Sequence, residues 1–183
     1  ENEGDLVGAA EHVTAAMIAF MAVYGRGLIC QSITAETAVR LELPPQTDHN
    51  TESNKTAFTI TVDAATDITT GISAADRART AAILADPAST PDQLARPGHM
   101  FPLVARPNGV LQRPGHTEAS VDLARLAGCV PSGIICEILN DDGTMARGPQ
   151  LETLAAAWNI PLVTVSDLIE YRTYQQNHKE YAS

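Results

Sequence analysis

Residues 133–139, Gly-Ile-Ile-Cys-Glu-Ile-Leu, constrain this chain more than any other segment, because they set one carboxylate, Glu137, inside an otherwise apolar run. In a strand, successive side chains alternate between faces, so Ile135, Glu137 and Leu139 share one. With apolar neighbours on either side, that face is a poor solvent edge, and a buried carboxylate without a partner is costly. Glu137 must meet a cation, accept hydrogen bonds, hold a proton or face a cavity. Each of these makes it a candidate for acid–base chemistry.

The 183 residues, 44% of them hydrophobic, suffice for one sizeable core and one ordinary domain. The formal charge of −10 has the wrong sign for covering nucleic-acid phosphates or anionic lipid, so neither nucleic acid nor membrane is an expected partner. A bound phosphate would need a local basic pocket. The longest apolar stretch, residues 15–24, is too short to cross a bilayer, and the chain opens on acidic residues instead of a basic signal region. Three cysteines, Cys30, Cys129 and Cys136, are odd in number and form no CxxC pair. They predict neither a disulfide framework nor a zinc ribbon, and a reduced, cytoplasmic setting fits them.

Periodicity and caps predict a helix over 13–23 with Thr14 as cap, a strand over 28–33 and a helix over 35–43 capped by Thr34 and stopped by Pro44. A polar loop at 44–56 is long enough to be a lid. A strand over 57–62 comes next, then a helix from Ser73 with Asp76 at the reciprocal position of a capping box. Further on come a strand over 100–105, a helix over 118–127 closed by Gly128, a strand over 133–139, a helix over 151–158, a strand over 162–165 and a last helix over 167–171. Strands and helices mix without a strict βαβ rhythm. The expected fold is α+β, a single domain whose mixed sheet is covered by helices in an α/β sandwich.

Several clusters could carry chemistry. Glu1, Glu3 and Asp5 alternate, so an extended backbone sets three repelling carboxylates on one face. A divalent cation would relieve the repulsion, and so would plain solvent around a frayed end. The tetrapeptide Arg-Pro-Gly-His occurs twice, ending at His99 and His116. The second copy leads into a helix, so Arg113, free backbone N–H groups and the helix dipole converge as a phosphate cradle, with His116 as metal ligand or acid–base group. A capped helix with a structural histidine reads equally well there. The first copy precedes a strand, where the dipole argument is absent and a structural His99 is the plainer reading. Cys30 reads first as a small core residue.

The motifs ENEGD at 1–5, TGISAADR at 70–77, RPGH at 96–99, RPGHTEA at 113–119, CEI at 136–138 and NDDGTMAR at 140–147 together resemble the 3,4-dihydroxy-2-butanone 4-phosphate synthase family. The resemblance implies a metal-dependent lyase of riboflavin biosynthesis, converting D-ribulose 5-phosphate to L-3,4-dihydroxy-2-butanone 4-phosphate plus formate. It implies Mg²⁺ or Mn²⁺ held by Glu1 and His116, with substrate and water completing the coordination. Substrate binding falls to Asp5, Arg113, Pro114, Gly115, His116, Thr117 and Glu137. Catalysis falls to His99 and Glu137, with Glu3 and Cys30 in support.

The resemblance further implies a homodimer with active sites near the subunit interface. Family members carry an N-terminal strand and helix ahead of the glutamate matching Glu1, and the expectation is that this part of the single domain is missing from the present chain. The stretch Tyr24-Gly25-Arg26-Gly27 departs from the His-containing, Ser-Gly pattern more usual before the cysteine. A non-catalytic, sugar-phosphate-binding or partner subunit of the same descent is the alternative reading.

Overall fold

The computed structural model describes residues 3–179. Five strands, β1 (Asp5–Ala9), β2 (Cys30–Ile33), β3 (Val62–Ala64), β4 (Leu94–Val104) and β5 (Gly133–Glu137), form one sheet in the order β1-β5-β2-β4-β3. The pair β2–β4 is parallel and the other neighbours are antiparallel. Six α-helices are described: α1 (Ala15–Phe20), α2 (Ala35–Arg40), α3 (Ala74–Ala85), α4 (His116–Leu126), α5 (Pro149–Trp158) and α6 (Val165–Lys179). The mixed α+β sandwich expected from the sequence is the fold observed.

Three predicted caps form as expected. The hydroxyls of Thr14, Thr34 and Ser73 accept from the N–H of Met17, Thr37 and Asp76 at 3.1, 3.2 and 3.1 Å, each satisfying an amide that the first helical turn leaves open. Asp76 does not complete a capping box. Its carboxylate accepts instead from the Thr69 N–H at 3.1 Å, the Thr69 hydroxyl at 2.7 Å and the Gly71 N–H at 3.0 Å. These bonds, the Thr69 hydroxyl foremost, hold the Asp76 carboxyl down to a pKa of about 2.

The sheet departs from the sequence reading in four places. β1 has no counterpart among the predicted strands; it forms because its full length pairs with β5. The strand placed over 57–62 shrinks to β3 with isolated bridges at Phe58 and Thr59, since Pro102 in the facing strand has no N–H for the ladder. β4 begins at Leu94, so the first RPGH lies within it and not before it. Val62 pairs with Met100 and Asp63 with Ala95, so residues 96–99 bulge out of the pairing. The run at 162–165 forms no strand: the Thr164 hydroxyl accepts from Asp167 N–H at 3.0 Å and opens α6.

The two faces of the sheet differ in use. Leu6, Ile134 and Cys136 pack with residues of α1 and α3 such as Ile18, Ala81 and Leu84 in the main core. By alternation, Asp5, Ile135 and Glu137 point to the opposite face, toward α4. On that side α4 and α6 meet around Val110, Ala119 and Leu168. There the fully buried Asp122 carboxylate pairs with Arg125 at 3.2 Å and Arg172 at 2.5 Å and accepts the Val110 N–H at 3.0 Å. The burial of this carboxylate is compensated by two guanidinium groups and an amide.

Candidate active site

Sheet register builds the centre of the site. Asp5 on β1 and Glu137 on β5 are direct cross-strand partners, which brings two carboxylates together on the face turned toward α4. The Nδ1 of His116, the first residue of α4, lies 2.9 Å from the Asp5 Oδ1. Because a carboxylate offers only lone pairs, Nδ1 carries the hydrogen and the other ring nitrogen, Nε2, is the one presented onward. The hydrogen bond from His116 to Asp5 raises the pKa of the imidazole, against an opposing push from burial.

Glu137 is oriented from a second direction. The Leu28 N–H donates to its Oε2 at 2.8 Å, and the backbone of Gly27 lies so close that a Cβ there would come within 2.5 Å of the same oxygen. Glycine is required at 27 for this approach. Burial first, and then the neighbouring Asp5, raise the Glu137 pKa above the ordinary carboxylate range, as expected of a carboxyl that shares a half-buried site with a like charge. The strand's apolar run thus presents an acid–base group to a cavity.

That cavity, of about 690 Å³, is lined by Glu3, Asp5, Cys30, Arg113, His116 and Glu137 among others. Glu3 pairs with Arg147 at 2.5 Å. Cys30 sits on the floor beside Ile135 and Leu103, and burial, reinforced by Glu137 and Asp5, drives its thiol far above the normal range. Cys30 therefore faces the cavity as a protonated thiol and not as a thiolate. Cys136, on the other face, is likewise pushed up to about 11 by burial.

The second RPGH forms the basic end. Arg113 Nη1 pairs with the buried Glu118 at 2.6 Å, while its Nε and Nη2 donate to the Asn54 carbonyl at 3.3 Å and the Thr56 hydroxyl at 3.2 Å. Pro114, Gly115 and Thr117 line the cavity beside it. Gly115 caps α4 with no side chain of its own over the first turn, so the amides at this helix start stay open toward the cavity. The polar loop predicted as a lid does border the site: Glu52, Asn54 and Thr56 line it. Glu52 folds that loop by accepting the Asn54 and Thr56 N–H groups at 2.7 and 2.8 Å. The sequence marks the loop but not these residues: the contacts with Arg113 single out Asn54 and Thr56, and Glu52 emerges only as the residue that folds the loop around them.

Of the residues singled out from the sequence, Glu3, Asp5, Cys30, Arg113, Pro114, Gly115, His116, Thr117 and Glu137 come together. Glu1 lies outside the described residues. His99 stands apart: it is not among the residues lining this cavity and sits in the β3–β4 bulge, its Nδ1 2.7 Å from Asp63 Oδ2. Asp63 was missed, because nothing in the local sequence marks it and only the β3–β4 register brings it beside His99.

The donor set fits a divalent ion. One oriented imidazole among several carboxylates is an oxygen-rich, nitrogen-poor environment of the kind that suits Mg²⁺ or Mn²⁺. Among the described residues no three His, Cys, Asp or Glu side chains converge closely enough to hold an ion, so further oxygen ligands would have to come from elsewhere. Among the described residues no helix is long and apolar enough to cross a membrane.

Comparisons with known proteins identify the family. The family model described as 3,4-dihydroxy-2-butanone 4-phosphate synthase matches residues 1–171. The synthase of that name from Oceanobacillus iheyensis is 58% identical over 94% of this chain and 83% of its own length. Its namesake from Mannheimia succiniciproducens is 54% identical over 94% and 81%. Riboflavin biosynthesis protein RibBA of Aquifex aeolicus is 57% identical, but this chain spans only 43% of it. A crystal structure of a 3,4-dihydroxy-2-butanone 4-phosphate synthase in complex with two magnesium ions superposes with a TM-score of 0.90 at 43% identity, over 93% of this chain and 85% of that one. With a family model covering nearly its whole length and relatives this similar, the chain belongs to the 3,4-dihydroxy-2-butanone 4-phosphate synthase family.

Proposed function

We propose that the protein is a metal-dependent lyase that converts D-ribulose 5-phosphate to L-3,4-dihydroxy-2-butanone 4-phosphate and formate in riboflavin biosynthesis. The observation that carries the reading is the meeting of Asp5, His116 and Glu137 in one cavity with Arg113 and the open start of α4. That arrangement suits a ketose phosphate, with a carbonyl and hydroxyls to be deprotonated at one end and a dianion to be held at the other.

In this reading Arg113 and the amides of His116 and Thr117 bind the phosphate, their charge and dipole matching the dianion. His116, oriented by Asp5, and Glu1 would hold Mg²⁺ or Mn²⁺; a relative's crystal structure carries two magnesium ions. The ion supplies Lewis acidity toward the sugar's oxygens. Glu137, its pKa raised by burial and by Asp5, exchanges protons with a substrate hydroxyl. Asp5 fixes the imidazole, Glu3, paired with Arg147, borders the metal end, and Cys30 supplies a neutral floor. His99, held in the β4 bulge, is not among the residues lining the cavity of its own chain. We assign it to the cavity of a second copy, which makes the working unit a homodimer with sites near the interface. The cytoplasm is the setting its free thiols suit.

The decisive measurement is formate release from ribulose 5-phosphate in the presence of Mg²⁺. Stoichiometric formate, lost with chelator and restored by added metal, is expected. Ligand-induced stabilisation without formate would instead identify a binding subunit.

A further inference from the structure

We infer that Asp63 is the positioning residue for His99, clamping the ring so that Nδ1 carries the hydrogen and the Nε2 lone pair faces outward. One carboxylate holds the residue at two points: Oδ1 accepts the His99 backbone N–H at 2.9 Å, and Oδ2 meets Nδ1 at 2.7 Å. Since a carboxylate has no hydrogen to give, the ring must donate. The burial is graded accordingly, with the Asp63 side chain 10% exposed and the His99 side chain 43%. The clamp lies inside, and the ring leans out of the β4 bulge.

The surroundings hold the clamp from behind. Gly71, at φ +94°, passes so close that a Cβ would come within 2.2 Å of Asp63 Oδ2 and 2.6 Å of His99 Nδ1. No other residue fits this spot without strain. Asp76 in turn fixes Gly71 through its N–H. A surface histidine that packs for stability alone needs no such two-point hold, whereas a proton-transfer imidazole needs a defined tautomer and direction. The inference rests on the reading of His99 as a catalytic group and adds what makes it competent.

Asp63→Asn tests it with little change of shape, because the amide oxygen can still accept the His99 N–H while the amide nitrogen must now donate to Nδ1. Ring ¹⁵N NMR of the wild-type protein, at a pH at which the imidazole is neutral, should show hydrogen on Nδ1, and in Asp63→Asn the hydrogen should move to Nε2. Turnover should fall roughly 100-fold in kcat with KM nearly unchanged. The double variant Asp63→Asn, His99→Ala should be no slower than His99→Ala alone. A wild-type ring protonated on Nε2, or an Asp63→Asn protein with wild-type kcat, would overturn the inference. Full turnover by His99→Ala would remove the underlying reading instead, and the wild-type NMR measurement tells the two failures apart even if the variant folds poorly.

Discussion

The same four residues, Arg-Pro-Gly-His, occupy two very different places. Residues 96–99 bulge from the middle of a strand, whereas the second copy ends at the first turn of a helix. The residues just after each copy decide this: Met-Phe-Pro-Leu-Val continues a strand, and Thr-Glu-Ala-Ser-Val a helix. Yet both histidines end with Nδ1 on an aspartate of an adjacent strand, Asp63 at 2.7 Å and Asp5 at 2.9 Å. The arginines diverge. Arg96 donates to three carbonyls, of Leu41, Pro91 and Leu94, and so ties backbone to backbone. Arg113 holds a buried carboxylate and reaches the loop that borders the cavity. A short motif therefore specifies a turn and an orientable imidazole, while the chain beyond it decides whether the arginine is scaffold or binding group.

The sharpest way to break this comparison is to remove both imidazoles in separate chains. His116→Ala should lower formate release by on the order of 1,000-fold and His99→Ala by roughly 100-fold. Mixing the two after joint refolding should recover activity that neither has alone, because one site of a mixed dimer keeps both rings. No recovery would place the two histidines in service of the same chain's cavity. Next in size, Arg113→Lys should raise KM about tenfold, since an ammonium cannot reproduce the planar fork. Arg96→Lys should leave KM alone and cost about 1 kcal/mol of stability in urea titration.

The smallest effect concerns Asp76, behind the first turn. Its folded pKa of about 2 lies below the ordinary value, about 3.9 for an unperturbed aspartate. The depressed value means that ionised Asp76 stabilises the fold above that ordinary value, and that this contribution fades as pH falls toward 2. Asp76→Asn should therefore be less stable than wild type at neutral pH, with the gap in urea midpoint closing on acidification. A pH-independent gap would assign the loss to shape instead of charge.

Much of this was legible in the chain. Caps at Thr14, Thr34 and Ser73 are local chemistry, and they form where the sequence puts them. Glu137 was legible because its cost is local too: a carboxylate between Ile135 and Leu139 on one face of a strand demands a reason whatever the topology. What stayed hidden depends on pairing. β1 carries Gly8 and no strong strand pattern, and it exists because β5 accepts it. The shortening at 57–62 comes from a proline in a facing strand, and the valine-rich run at 162–165 found no partner, so its threonine started a helix. Asp63 became visible only when the β3–β4 register set it beside the bulge. Propensity names the pieces, and pairing decides which side chains meet.

The cross-strand alignment of Asp5 with Glu137 has one more consequence. A slip of a single position between these strands would turn one carboxyl to the far side of the sheet, leaving a nearly native shell with nothing to hold a sugar. Because those two residues stand far apart in the sequence, their alignment is completed only when distant portions of the chain have found each other. Turnover would thus work as an assembly gauge: half-built or misregistered molecules would be silent, and would not release reactive sugar fragments.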